Sequence, residues 1–295
     1  MMDLNTDNGV PTPIYPHTAD LAVLLPSLEA LVDEIVATGL SRDALSRALD
    51  AGMIEVTAVL RAVPAAEGKL LERGIALVAG RNPDLVVLTQ NLRLPVTKAA
   101  SELVEMNDPA LYRSLSLDAD SGGRKTYTPD LLILNRRTEV AHLVDVKRSL
   151  GSYELSRIAE LKSRMLAAAL VVPDLLYKEH RRLRAKEVRV VVLNAENQRA
   201  DIDGGVWPLS HLDHLLEVTG AGEAMAHLRE LFQRRVEENW SAALASCRQV
   251  TSAGNARKAS TLHCDGDDVC GTETRGRPRL PVAIGFARAP RAASP

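Results

Sequence analysis

The sequence predicts an α/β fold in which a central mixed β-sheet is flanked by helices, with a small helical unit ahead of it and a polar tail behind it. Three observations carry that expectation. From Ala65 to about residue 245, segments of helical period alternate with short apolar runs of strand length. Two of those runs, Leu131 to Leu134 and Ala141 to Val144, flank a polar turn near Arg137 and read as a β-hairpin. At 295 residues and 46% hydrophobic content, the chain can bury one core of roughly 150–200 residues and still carry appendages.

Residues 1 to 20 are rich in Pro, Asn, Asp and Thr without an apolar period, and are expected to be a flexible arm. From Leu24 to Thr38, Leu25, Leu28, Leu31, Val32 and Ile35 recur at three and four spacing, and Gly39 follows as a stop. Ser41 caps a second helix to about Ala51, and Met53 to Val63 is a third. Residues 21 to 64 thus form a small helical unit, which could be a DNA-reading helix-turn-helix or a bundle that packs or dimerises. A helix from Ala65 to about Ala79 opens the main domain, residues 65 to 245, and is followed by a buried strand at Leu85 to Leu88. A helix over Thr97 to Met106 precedes extended runs at Leu111 to Leu117, Tyr127 to Leu134 and Val140 to Val146, expected as an antiparallel meander. Then come a helix from about Ser152 to Leu170, a strand from Val188 to Leu193, and a helix from Leu209 to about Ala243 that Gly220 interrupts. From residue 246 onward Ser, Gly, Ala, Arg, Asp and Pro dominate, and a disordered tail is expected.

Lys and Arg total 36 against 38 for Asp and Glu, a formal charge of −2, so attraction to nucleic acid must come from local basic patches. No apolar run reaches the ~18–20 residues of a membrane span, and the first residues lack a charged-then-apolar leader, so a soluble, cytoplasmic protein without a membrane partner is expected. The three cysteines, Cys247, Cys264 and Cys270, lie in the last quarter and give the main domain no disulfide framework.

Chemistry is concentrated in Pro129-Asp130, fourteen intervening residues, and Asp145-Val146-Lys147. Residues two apart on a strand share a face, so Asp145 and Lys147 point one way while Val146 faces the core. The hairpin brings Asp130 toward Asp145. Two converging carboxylates repel, and a hard, oxygen-seeking cation such as Mg²⁺ or Mn²⁺ resolves the repulsion. With the Lys147 ammonium alongside, this outlines a hydrolytic phosphodiesterase site.

These residues resemble the motif of the PD-(D/E)xK nuclease superfamily, whose members include restriction endonucleases, Holliday-junction resolvases and lambda exonuclease-type enzymes. The resemblance covers residues 65 to 195 and implies a restriction-endonuclease-like core. It further implies that Asp130, Asp145 and the Val146 carbonyl are metal ligands, that Lys147 is the catalytic lysine, and that the substrate is DNA. Members usually add a glutamate from a preceding helix. Two are offered: Glu72, in Gly68-Lys69-Leu70-Leu71-Glu72, and Glu102, directly before the meander. On the helix after the motif, Arg157, Glu160 and Lys162 stand where members often contact phosphate, or form a solvated face. The expected activity is Mg²⁺-dependent hydrolysis of DNA. The rival is a non-catalytic DNA-binding or regulatory protein on the same fold, for which a homodimer through the N-terminal helices is one arrangement.

Other segments carry weaker signals. Lys178 to Lys186 holds five Lys or Arg in nine residues and could follow a phosphate backbone or form a solvated connection. Arg275-Gly276-Arg277-Pro278-Arg279 resembles the core of an AT-hook, implying minor-groove contacts by Arg275 and Arg277. His263, Cys264 and Cys270 lack the paired Cys-x2-Cys geometry of structural zinc sites. His142, His211 and His214 are expected to be packing or surface residues.

Overall fold

The computed structural model describes residues 15–89, 92–112, 115–120, 125–151, 153–180, 182–196 and 200–260. In order these form β1 (His17–Thr18), α1 (Leu21–Ala37), α2 (Arg42–Ala51), α3 (Met53–Ala79), β2 (Leu85–Thr89), β3 (Leu94–Val96), α4 (Lys98–Met106), α5 (Pro109–Tyr112) and β4 (Lys125–Tyr127). They continue with β5 (Leu131–Asn135), β6 (Val140–Lys147), α6 (Leu155–Ala169), α7 (Val172–Glu179), β7 (Glu187–Asn194) and β8 (Val206–Pro208). A 3-10 turn (Leu209–His211), α8 (Leu212–Leu216), β9 (Val218–Thr219) and α9 (Ala221–Ser260) complete the chain.

A five-stranded mixed sheet in the order β2-β5-β6-β7-β8 organises the protein. β2 and β6 flank β5 antiparallel, whereas β6, β7 and β8 run parallel. The sheet is covered on both faces, which is why its strands read as continuous apolar runs. Leu131, Ile133, Val144, Val191 and Leu193 point into one core with α1, α2, α3, α8 and α9. Their neighbours Leu132, Leu134, Leu143 and Val192 point into the other with α4, α6, α7, β3 and β4.

Local chemistry explains the joints. The Asp20 and Ser41 side chains accept the Ala22 and Ala44 N–H groups and start α1 and α2, and Thr97 does the same for α4 at Ala100. At the β5–β6 turn, the buried Asn135 takes the Arg137 and Thr138 N–H groups on Oδ1 (2.9 and 3.1 Å). Glu139 then turns the chain with φ 57°. Gly220, with φ 82°, separates α8 from α9, as its place in the sequence predicts.

The structure corrects several expectations. The strand completing the antiparallel meander is β2, not residues 111 to 117, where 109–112 are helical; β5 has both β2 and β6 as partners. β4 pairs instead with β3 in a separate ladder. The boundary expected at residue 64 falls inside α3: Pro64 forfeits one ladder hydrogen bond, but the stripe Val59, Val63, Ala66, Leu70 packs continuously on the core. The helical unit is therefore part of the main core rather than a separate module, and the chain divides only into residues 1–250 and 251–295. His17 and Thr18, expected in the arm, pair in parallel with Val218 and Thr219. Residues 246 to 260, expected in the tail, are helical. Residues 1–14 and 261–295 lie outside the described residues, and with them Arg275, Arg277 and the His263–Cys270 cluster. Among the described residues no helix is long and apolar enough to cross a membrane.

α3 and α9 are locked in two ways. A Cβ at Gly74 would lie 2.3 Å from Leu228 Cδ2 and 2.9 Å from Met225 Cε, so a side chain there would require these two side-chain tips of α9 to move. Near the sheet's end, buried Glu67 of α3 takes Arg229 Nε and Nη2 of α9 at 3.0 and 2.8 Å, while Arg229 Nη1 donates to the Ala195 carbonyl at 2.8 Å. Removing one partner from a buried pair strands a charge. Arg229→Met is expected to lower the unfolding free energy by about 3 kcal/mol in urea denaturation. Glu67→Met with Arg229→Met should recover most of that loss, because it leaves no unpaired charge on the α3–α9 contact.

Candidate active site

Strand pairing assembles the centre of the site. The last β5–β6 pair is Leu131 with Val144, and continuing that register by one residue brings Asp130 opposite Asp145. Directly opposed side chains stand about 5 Å apart at Cβ, and like charges there destabilise the sheet. The opposition is fastened rather than relieved: Asp130 Oδ2 accepts the Val146 N–H at 2.6 Å, taking over where the β5 backbone ends. The Lys147 carbonyl accepts the Ala195 N–H at 2.9 Å on the β7 side. Because backbone groups alternate along a strand, the Val146 carbonyl is directed to the β5 side, past the last β5 pair and beside Asp130.

Asp145 is 5% exposed and engaged at both oxygens. Oδ2 accepts the Tyr127 hydroxyl at 2.8 Å. Oδ1 is in ion-pair contact with Lys147 Nζ but has no hydrogen bond of ordinary geometry, leaving a buried oxygen with unused acceptor capacity. Asp145 and Lys147 project from the face of β6 that carries Leu143, and Val146 packs on the opposite core.

Glu72 is coupled electrostatically to this group. Burial, followed by the nearby Asp130, pushes the Glu72 carboxyl up to about 7; the charges of Lys147 and Asp145 also act on it. Asp130 is pushed up by burial and by Asp145, against the pull of its Val146 hydrogen bond. Burial alone would lower Lys147, but Asp145 and Asp130 outweigh it and the net shift is upward, so the ammonium form is favoured. Glu102, by contrast, is exposed and pairs with Lys98 on its own helix at 3.2 Å.

Around this centre lie residues that the motif does not announce. Arg148 reaches Glu67 at 3.9 Å and Glu196 at 3.6 Å, connecting the site to the α3–α9 lock. Glu67 was in principle visible in the sequence: with Leu71, Gly74 and Ile75 it occupies the apolar stripe of its helix, where a lone carboxylate needs a partner. Nothing in the sequence distinguishes Tyr127 from the other four tyrosines. On α6, Lys162 donates to the Gly204 carbonyl at 2.7 Å, while Arg157 and Glu160 are exposed. The basic run is partly consumed by ion pairs, Lys178 with Asp118, Asp120 and Asp174, and Lys186 with Glu139. His142 is pushed down to about 4 by burial and by Arg189, so it is neutral at physiological pH.

Among the described residues no group of three or more His, Cys, Asp or Glu side chains is placed to hold a metal ion. The donor set nevertheless fits a hard divalent cation. Asp130, Asp145 and the Val146 carbonyl supply oxygen alone, Glu72 is near, and Asp145 Oδ1 has unused acceptor capacity. Mg²⁺ needs no more than one or two carboxylates, because it retains several waters. No family model, curated protein or solved structure matches the chain.

The raised Glu72 carboxyl has a consequence for stability. Its folded value near 7 exceeds its ordinary 4.5, so its contribution is fully present below about 4.5 and is lost as pH rises through 7. In EDTA, Glu72→Gln should therefore gain on the parent protein between pH 5 and 8, by about 1 kcal/mol once solvent screening at a half-buried site is discounted. Urea midpoints measured across that range check it; parallel curves for the two proteins would contradict it.

Proposed function

We propose that this chain is a divalent-metal-dependent nuclease of the PD-(D/E)xK type, with a restriction-endonuclease-like core, and that it hydrolyses DNA phosphodiester bonds. One observation carries the reading: Asp130 lies opposite Asp145, with Lys147 on the same strand, at the carboxyl end of parallel strand β6. Open α/β sheets bind their ligands at that end. Two opposed, largely buried carboxylates weaken a sheet unless a cation compensates them, so their placement makes sense as a binding site.

Asp130, Asp145 and the Val146 carbonyl would hold Mg²⁺ or Mn²⁺, with Glu72 completing the set. When bound, such an ion offsets charge developing on the phosphate and lowers the pKa of its water. The remaining work belongs to the chain. Lys147, kept as an ammonium by its acidic neighbours, would donate to a phosphate oxygen or hold the attacking water while Asp145 held the cation. Arg148, 45% exposed and oriented by Glu67 and Glu196, can meet the nucleic-acid backbone as its counter-charge.

One observation favours a second reading, a DNA-binding or regulatory scaffold that does not cut. The Lys147–Asp145 ion pair satisfies the central charge without metal, as a purely structural site would. The deciding experiment incubates the purified protein with single-stranded, double-stranded and branched DNA in Mg²⁺, Mn²⁺ or EDTA. Metal-dependent cleavage falling about 10²–10³-fold in both Lys147→Ala and Asp145→Asn is expected, the scale of a lost group in electrostatic catalysis. Undiminished cleavage by Asp145→Asn would refute the assignment, and DNA binding without cleavage by any of the proteins would establish the scaffold.

A further inference from the structure

We propose that Tyr127 is a positioning residue for this site: by holding Asp145 Oδ2, it fixes which carboxylate oxygen faces the cation. The inference rests on the nuclease reading and adds to it a residue outside the acid, acid, lysine pattern.

Three features support it. Tyr127 ends β4, which pairs with β3 and not with the main sheet, so the hydroxyl reaches Asp145 from a separate piece of backbone. Both partners are buried, Tyr127 at 6% and Asp145 at 5% exposure, and an O–H···O bond of ordinary length, 2.8 Å, joins them away from competing water. Finally, the two oxygens have divided roles: Oδ2 is occupied by the hydroxyl, while Oδ1 has only the Lys147 ammonium and no ordinary hydrogen bond.

A carboxylate rotates about its last torsion over a broad, roughly two-fold well, so a single anchored oxygen sets where the other points. The phenol is suited to that task. A phenol keeps its proton at physiological pH, so the hydroxyl is a donor to the carboxylate. Without it, Oδ2 would be a second buried acceptor in search of a partner, and Lys147, two residues along, is the nearest cation. The ammonium could then bridge both oxygens and compete better against a metal ion. Tyr127 thus sets the balance between the Lys147-paired and metal-bound states without touching metal or substrate.

The test measures Mn²⁺ binding by electron paramagnetic resonance to the full-length parent, Tyr127→Phe and Asp145→Asn, with melting temperatures in EDTA alongside. The parent should bind Mn²⁺ and Asp145→Asn should not. Tyr127→Phe should bind about tenfold more weakly, the loss of about one hydrogen bond's net worth. The half-saturating Mg²⁺ concentration for cleavage should rise by a similar factor, with the rate at saturating metal changed less than threefold. If Tyr127→Phe fails to fold, 4-aminophenylalanine and 4-methylphenylalanine at position 127 keep the shape while supplying or withholding the donor, and only the former should retain parental affinity. Equal Mn²⁺ affinity in parent and donor-less variants overturns the positioning role while leaving the nuclease reading intact. Absence of Mn²⁺ binding by the parent overturns both.

Discussion

The register between β5 and β6 is the constraint on which the rest of the site depends. It is set by two cores at once, because Leu131 and Ile133 must enter one and Leu132 and Leu134 the other. A slip of one residue would exchange every side chain between them. The same register leaves Asp130 opposite Asp145 one step beyond the last pair. The hydrophobic pattern that stabilises the sheet therefore also enforces a charge repulsion at its end, and packing of this extent outweighs an electrostatic cost at one pair.

That repulsion is contained by neighbours rather than by exposure to water. The Val146 N–H holds one aspartate, and the Tyr127 hydroxyl and Lys147 ammonium hold the other. Glu72 on α3 feels these charges, and its own charged form is disfavoured near neutrality. The helix that delivers it is secured to α9 by the Glu67–Arg229 pair and the Gly74 contact, and Arg148 links that lock to the strand end. Fold and site share these residues, so the electrostatic environment of the acids depends on helix packing well away from them.

Much of the architecture was legible in the chain. Helices with a three-and-four apolar stripe and a capping Ser, Thr or Asp occur where their pattern places them, as α1, α2 and α4 do. The β5–β6 hairpin follows from its two apolar runs and the Asn135 turn. Elements whose identity depends on distant partners were harder to read. Residues 111 to 117 have a strand-like composition, but β2, more than forty positions before β5, takes the place beside it. Pro64 resembles a boundary until the stripe it interrupts is seen to continue on one core.

For the site, the sequence by itself determined the chemistry available: two aspartates and a lysine at strand spacing, with a choice of glutamates. Local periodicity suffices for that, because a strand's two-residue repeat makes Asp145 and Lys147 share a face wherever the strand lies. Only the tertiary structure decided that Glu72 rather than Glu102 approaches the pair, that Tyr127 holds Asp145, and that Arg229 neutralises Glu67. Those choices depend on how α3, β4 and α9 pack around the sheet, and contacts between segments 18 to 162 positions apart leave no periodic mark in either segment.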